Sequence, residues 1–414
     1  MHVLHVNKFF YEKGGTERYF FSVSRALEKR GHTVSHFSMR HPDNLESPFA
    51  PFFVSEKRYS GRGARLDDIP AGLSFIRSGE AARSLKRLLE KSRPDVAHLH
   101  NIYHQITPSI IPVLRRAGVP VVMTLHDYKL ICPNYSLFDG TAYCYRCRGR
   151  RFYRAAATRC HEGSFAKSLL LSVEAYWQKR TRVYDGVRFF LAPSRYIRDA
   201  FIAEGFSADR VVHLAPFVPE DDPAMDSSSG APVLDALPKK YIVYFGRLSP
   251  EKGLVMLLDA VARLMRVPLV VCGDGPLRSA LEERAREAKS RVQFTGYLEK
   301  PVLRAVVGRA NAVVLPSESP ENAPYTVLEA MAMGVPVIVS NMGGLPELVG
   351  RGGGVVFTVG EAADLAAKIY EFWEDGSLAG EIGRCGRRVA TEQLTEKRHV
   401  DDLVRIYEKA VGAN

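Results

Sequence analysis

Short runs of β-branched and other apolar residues alternate along the chain with stretches whose apolar positions recur every three or four residues. Residues 1–6 lead into Gly14-Gly15 and then into 16–30, where Phe20, Val23 and Leu27 share one side as in an amphipathic helix. Further strands are predicted at 33–37, 95–100, 120–125 and 189–192, with helical patterns such as 82–91 between several of them. Apolar strands alternating with helices imply a parallel sheet covered on both faces. Residues 216–238 break the rhythm: Pro216, Pro219, Pro223, Ser227-Ser228-Ser229-Gly230 and Pro232 punctuate an acidic stretch, which predicts a linker. The alternation restarts with strands at 241–245, 269–272, 292–295, 312–315, 336–340 and 355–357, and from 361 to 410 the pattern is mostly helical. Two doubly wound α/β domains follow, with the ligand site expected in the crevice where the carboxyl ends of their strands face each other.

The length of 414 residues fits two or three such units. A hydrophobic content of 46% and a charged content of 25% exclude disordered, collagenous and disulfide-scaffold chains. No apolar run approaches the roughly 18 residues of a membrane span, and the first residues read as a strand rather than a leader, so a cytoplasmic protein is expected.

Charge is unevenly divided: Lys and Arg exceed Asp and Glu by 15 over residues 1–210, whereas 211–414 carries −4, for a net charge of +11. The densest basic stretch holds Arg146, Arg148, Arg150, Arg151, Arg154 and Arg159 without an acid, interleaved with Tyr145, Phe152 and Tyr153. Such a patch attracts an anionic membrane surface, a phosphorylated substrate or nucleic acid, or is a solvated loop. No nucleic-acid reader module accompanies it, so nucleic acid is not an expected partner.

Four of the six cysteines, Cys132, Cys144, Cys147 and Cys160, lie in or beside that stretch with the spacing Cys-x11-Cys-x2-Cys-x12-Cys. The central knuckle and two outliers suit a structural zinc held by thiolates, with four free thiols as the other reading. Disulfides are disfavoured in a reducing compartment. Cys272, in an apolar strand, and the isolated Cys385 are expected to be inert.

Among motifs that carry chemistry, the phosphate loop with Gly-Lys-Ser/Thr, the Gly-x-Ser-x-Gly elbow and an Asp-x-Asp metal clamp are all missing. Gly273-Asp274-Gly275 is followed by Arg278, which leaves the dinucleotide fingerprint incomplete. The sharpest signal runs from Ser317 to Pro336 and contains Glu321-Asn322-Ala323-Pro324-Tyr325-Thr326-Val327-Leu328-Glu329 followed by Ala-Met-Ala-Met-Gly-Val-Pro. Pro324 suits a first helical turn and Asn322 its cap, so that Glu321 sits in the loop and Glu329 projects from the helix. The free amides of a helix start favour an anion, and carboxylates on either side of it can accept hydrogen bonds from sugar hydroxyls. That arrangement suits a nucleoside diphosphate with sugar at both ends.

These residues resemble the family-four retaining glycosyltransferases of the two-Rossmann-domain GT-B type, whose most specific motif is the Glu-x7-Glu here at Glu321 and Glu329. The resemblance assigns Glu321 to the donor sugar and Glu329 to the ribose hydroxyls, with Asn322, Ala323, Tyr325 and Thr326 lining the donor between them. Many members have a glycine-rich turn after the first Glu, whereas Asn322-Ala323-Pro324 is stiffer and has one amide fewer. Tyr244-Phe245-Gly246-Arg247-Leu248-Ser249-Pro250-Glu251-Lys252-Gly253 resembles the loop in which Gly246, Arg247 and Lys252 receive the donor diphosphate. Gly14-Gly15-Thr16 resembles the N-terminal glycine turn at the donor phosphate, Thr124-Leu125-His126-Asp127 the strand end that brings His126 to the donor sugar, and Gly343-Gly344-x-x-Glu347 a further donor-binding turn at Gly344. His98-Leu99-His100, with both rings on one strand face, is read as structural or acceptor-side.

The resemblance implies a hexosyltransferase that retains anomeric configuration by front-face attack, needs no catalytic cofactor, and takes a nucleotide-diphosphate sugar to a lipid-linked or other glycan acceptor in cell-surface polysaccharide synthesis. Its expected organisation is an acceptor domain over 1–215 with a Cys-rich basic insertion at 132–160, a linker over 216–238, a donor domain over 239–390, and a terminal helix over 391–414 that packs back on the first domain. Peripheral attachment at the inner face of a membrane is expected. A nucleotide-sugar epimerase or hydrolase on the same scaffold remains the alternative, and a basic nucleic-acid-binding protein a more distant one.

Overall fold

A computed structural model describes residues 1–57, 74–219 and 232–412, so most of the expected linker, residues 220–231, lies outside the described residues. The chain divides into two compact units, one of residues 1–136, 145–215 and 399–414, the other of 137–144 and 216–398.

The first unit is built on a six-stranded parallel sheet of β1 (His2–Val6), β2 (Thr33–Phe37), β3 (Val96–Leu99), β4 (Val121–Thr124), β5 (Val187–Ala192) and β6 (Val211–His213). They lie in the order β2-β1-β3-β4-β5-β6. The second repeats the plan with β7 (Ile242–Phe245), β8 (Leu269–Cys272), β9 (Val292–Gly296), β10 (Ala312–Leu315), β11 (Val337–Ser340) and β12 (Gly354–Phe357), in the order β12-β11-β10-β7-β8-β9. Both sheets have helices on their faces, and every residue of β3, β4, β7, β8, β10 and β11 is buried, as strands covered on both sides must be. The protein is thus α/β, with two doubly wound Rossmann-like sheets.

The helices that matter below are α1 (Gly15–Lys29), α2 (Gly79–Lys91), α3 (Tyr153–Ala157), α4 (Phe165–Thr181), α5 (Leu254–Ala262), α6 (Tyr325–Ala332), α7 (Leu345–Val349) and α8 (Glu396–Gly412). Helix α8 buries Val400, Leu403, Tyr407 and Ala410 on one face. From His399 onward it belongs to the first unit, although residues 216–398 of the second unit separate it in sequence from β6. Tyr407 Oη lies 2.6 Å from His98 Nδ1, His399 Nε2 lies 2.9 Å from Tyr19 Oη, and Arg30 Nη1 donates to Asp401 at 2.7 Å.

Candidate active site

In the second unit the chain steps outward from β7 to β8 and β9, then returns to the other flank of β7 with β10. The loops after β7 and β10 therefore border the point where strand order reverses, the usual ligand crevice of an open α/β sheet. After β7 the backbone passes Gly246 and Arg247, whose carbonyl accepts from Tyr244 Oη at 2.8 Å, and turns through a short 3-10 helix, Pro250–Lys252, into α5. The turn closes at Gly253 with φ +69°, and a Cβ there would stand 2.0 Å from the Pro316 carbonyl oxygen. Glycine alone lets the β7 loop press on the β10 loop at this point. The contact is reinforced by the amide of Glu318, which donates to the Glu251 carbonyl at 2.9 Å.

This stitching brings Lys252 and Glu321, 69 residues apart, to an Nζ–Oε1 distance of 2.5 Å. The same carboxylate oxygen accepts from Ser317 Oγ at 2.7 Å. Glu321 is also held through its backbone: its carbonyl accepts from the Gly344 amide at 2.7 Å, and Gly343, φ +65°, lies so near that a Cβ would stand 2.1 Å from that carbonyl. Three loops thus fix one acid. Burial works most strongly against the Lys252 ammonium, but the charge and hydrogen bond of Glu321, with the charge of Glu251, together outweigh it and hold the lysine above its usual value. Burial pushes the Glu318 carboxyl up.

Asn322, Ala323, Tyr325, Thr326 and Glu329 are half-buried, with Glu329 one turn into α6, while Arg247 is exposed and Gly344 is buried as the cap of α7. One local expectation is corrected. Helix α6 starts at Tyr325 with Pro324 in extended conformation as its cap, so Asn322 stands two residues outside the cap position. Proline cannot continue the preceding loop as helix and has no amide to satisfy, so it serves as the boundary itself.

In the first unit the strand order reverses between β1 and β3. Gly14 caps α1 there, Gly15 opens it, and Asn101 beyond β3 reaches Thr16 Oγ1 at 3.4 Å. Gly14 has an extended backbone that any residue adopts, and a Cβ would find its nearest neighbour at 3.8 Å. Nothing within the unit demands glycine at that position. His126 follows β4, with Nε2 2.9 Å from His100 Nδ1 and the two rings stacked; burial lowers it to about 3, so it is neutral. The next residues are anchored by a buried ion pair, Lys129 Nζ to Glu174 at 2.7 Å, which sequence reasoning missed because the partners are 45 positions apart. His98 and His100 are fully buried with rings 4.2 Å apart, and with His5 they form a three-imidazole cluster whose ligand atoms lie within 4.8 Å of one another. His5 Nδ1 contacts Ser24 Oγ at 2.9 Å and His98 Nε2 contacts Thr124 Oγ1 at 2.7 Å, hydrogen bonds of a packed core. Cys132 is buried, Cys144, Cys147 and Cys160 are half-buried, and none of the four is in a disulfide.

Residues 14–216 match the model of a glycosyl transferase 4-like domain, and residues 232–389 that of glycosyl transferases group 1. The chain is 24% identical over 413 residues to a phosphatidyl-myo-inositol mannosyltransferase of Mycolicibacterium smegmatis, covering 97% of this chain and 91% of the relative. A glycogen synthase of Mycobacterium tuberculosis is 35% identical over 173 residues, 40% of this chain and 42% of its own length. Among solved structures, sucrose-phosphate synthase from Thermosynechococcus elongatus superposes with a TM-score of 0.72 at 18% identity, covering all of both chains. Alr3699/HepE of Anabaena, solved in complex with UDP and glucose, gives a TM-score of 0.64 at 18% identity, over 99% of this chain and 100% of the other. No helix among the described residues is long and apolar enough to cross a membrane.

Proposed function

Because the chain belongs to the group 1 glycosyltransferases, family four, with the GT-B fold, we propose that it transfers a sugar from a nucleoside-diphosphate donor, with retention of configuration, to a lipid-linked or polysaccharide acceptor. The observation that carries the reading is the Lys252–Glu321 pair at the strand-order reversal of the second unit, with Arg247 on the same loop as Lys252 and the start of α6 just beyond Glu321. Cations beside the free amides of a helix start suit a diphosphate, and the carboxylates of Glu321 and Glu329 suit hydroxyls of the donor sugar and of the ribose. Asn322, Ala323, Tyr325, Thr326, Gly246 and Gly344 complete the donor contacts in this reading, to which the resemblance adds Gly14, Gly15 and His126. The solved complex of Alr3699/HepE with UDP and glucose supports a nucleotide-sugar donor, and the phosphatidyl-myo-inositol mannosyltransferase supports a lipid-linked acceptor.

Arg247 and Lys252 would meet the negative charge that grows on the leaving diphosphate as the glycosidic bond breaks. The departing phosphate would take the acceptor hydroxyl's proton on the face it leaves, so no side chain is asked to act as a covalent nucleophile. His126, neutral at physiological pH, would serve the donor sugar as a hydrogen-bonding group rather than as a charge. Nucleotide sugars raising the melting temperature would identify the donor, and NMR of the product formed with it should show the donor's anomeric configuration preserved. An inverted product overturns the mechanism, and donor consumption without transfer to any hydroxyl acceptor favours the hydrolase or epimerase reading.

A zinc held by Cys132, Cys144, Cys147 and Cys160 is proposed as a structural staple, on the strength of their spacing in the sequence. Elemental analysis of protein purified without chelator should find about one zinc per chain, falling when these cysteines are changed to serine. Metal-free protein with an unchanged melting temperature would remove the idea.

A further inference from the structure

Helix α4 turns apolar residues outward. Its inner face buries the mixed set Ser168, Leu171, Ser172, Glu174, Ala175 and Gln178. Its outer face carries Phe165, Leu169, Val173 and Tyr176, spaced by four, four and three residues into one stripe, and they are 53%, 43%, 48% and 37% exposed. A surface helix ordinarily turns polar residues outward, and a contiguous apolar stripe left exposed marks an interaction surface.

The charges of α4 are arranged to match. Glu174, its one acid, is turned inward, 1% exposed and bound to Lys129, while Arg180 follows the stripe at its C-terminal end. Helix α3 packs on α4, with the Tyr153 amide donating to Tyr176 Oη at 3.3 Å, and Tyr153, 55% exposed, continues the apolar stripe. Arg146, Arg148, Arg151 and Arg159, which lead into and out of α3, are exposed in a segment without acids. Aliphatic and aromatic side chains standing outward among arginines, with the acid hidden, are the composition of an interfacial helix.

We infer that the α3–α4 face is a docking surface for an anionic lipid bilayer: the Phe165–Leu169–Val173–Tyr176 stripe enters the headgroup boundary, and the arginines meet lipid phosphates. A protein groove would need acids to answer the arginines together with a long apolar slot; a phospholipid surface offers both over any area. The inference rests on the proposed lipid-linked acceptor only in giving that acceptor a place to be met.

The test is sedimentation of the full chain, without donor, on vesicles of phosphatidylcholine alone or mixed with phosphatidylglycerol. Binding should be at least tenfold stronger on the anionic vesicles and fall as salt shortens the Debye length. Leu169→Glu with Val173→Glu should weaken it at least tenfold, as should Arg148→Ser with Arg151→Ser, while melting temperature and transfer to a water-soluble acceptor stay unchanged. Equal binding to neutral and anionic vesicles, or wild-type binding by both double variants, overturns the inference. So does a dimer in vesicle-free buffer that the Leu169/Val173 variant makes monomeric, since the stripe would then be covered by a second copy. Loss of vesicle binding with transfer intact, or the converse, separates this inference from the proposed reaction.

Discussion

Lys252→Ala should lower kcat by about 100-fold or more, and Arg247→Ala by a similar order, with both proteins still folded. A cation roughly 4 Å from a phosphate charge gains about 4 kcal/mol at an intermediate dielectric, and that gain grows as charge moves onto the leaving group, so its loss falls on turnover. The lysine is placed for this by its pairing with Glu321 at 2.5 Å, which fixes a long side chain before any donor arrives. Glu329→Ala should fail differently. Its contacts to the ribose would be present in ground and transition states alike, so KM for the donor rises with little change in kcat. Steady-state kinetics on the three variants, with circular dichroism as the folding control, checks the pattern. Full turnover by the Arg247/Lys252 double variant would refute the assignment.

The second large effect is on stability. The first unit keeps a set of histidines neutral by burial: His36 and His399 are lowered to about 4 and His126 to about 3, while His5, His98 and His100 lie well below the usual value. Above about pH 6.5 these groups are neutral folded or unfolded, and pH has no leverage through them. As pH falls below 6.5 the unfolded chain takes up protons that the folded chain refuses, and each such histidine costs about 1.4 kcal/mol per pH unit until its folded value is reached. At pH 5 that is about 2 kcal/mol for each of His36, His126 and His399, roughly 6 together, against a usual net stability of about 5–15 kcal/mol. His5, His98 and His100 add in the same direction. The protein should therefore unfold cooperatively between about pH 6 and 4, followed by far-ultraviolet circular dichroism. His399→Gln should flatten the pH dependence of its denaturant midpoint over that window, whatever it does at pH 8. A midpoint constant from pH 7.5 to 4.5 would contradict the neutral-core account.

Much of this architecture could be read from the chain because its central strands are buried on both faces and leave unbroken apolar runs: 269–272 and 312–315 were placed to the residue. Strand β6 was missed, since Val211–His213 is three residues long and only half-buried at its end. The site was legible where one segment carries it, as around Glu321 and Glu329. It was not where folding alone joins partners, as with Lys252 and Glu321, Lys129 and Glu174, or His98 and Tyr407. The outward stripe of α4 was hidden for another reason. Apolar residues at helical spacing read in sequence as core, and only exposure reveals that these four face outward. The expected boundaries shift too, because the 137–144 hairpin groups with the second unit and that unit extends to Arg398.

Helix α8 has a consequence for how the protein is made. The first unit places Tyr407 and Val400 at 0% exposure in its core, yet those residues leave the ribosome only after the entire second unit. At about 5–20 residues per second, the stretch between residues 215 and 399 takes roughly 10–40 s to synthesise. During that interval the amino-terminal half waits with His98 and Tyr19 uncovered, while the second unit can complete itself. The half that is translated first is finished last, which makes the nascent amino-terminal half the natural client of chaperones and a stop codon before Val400 far more damaging than its distance from the proposed donor residues would suggest.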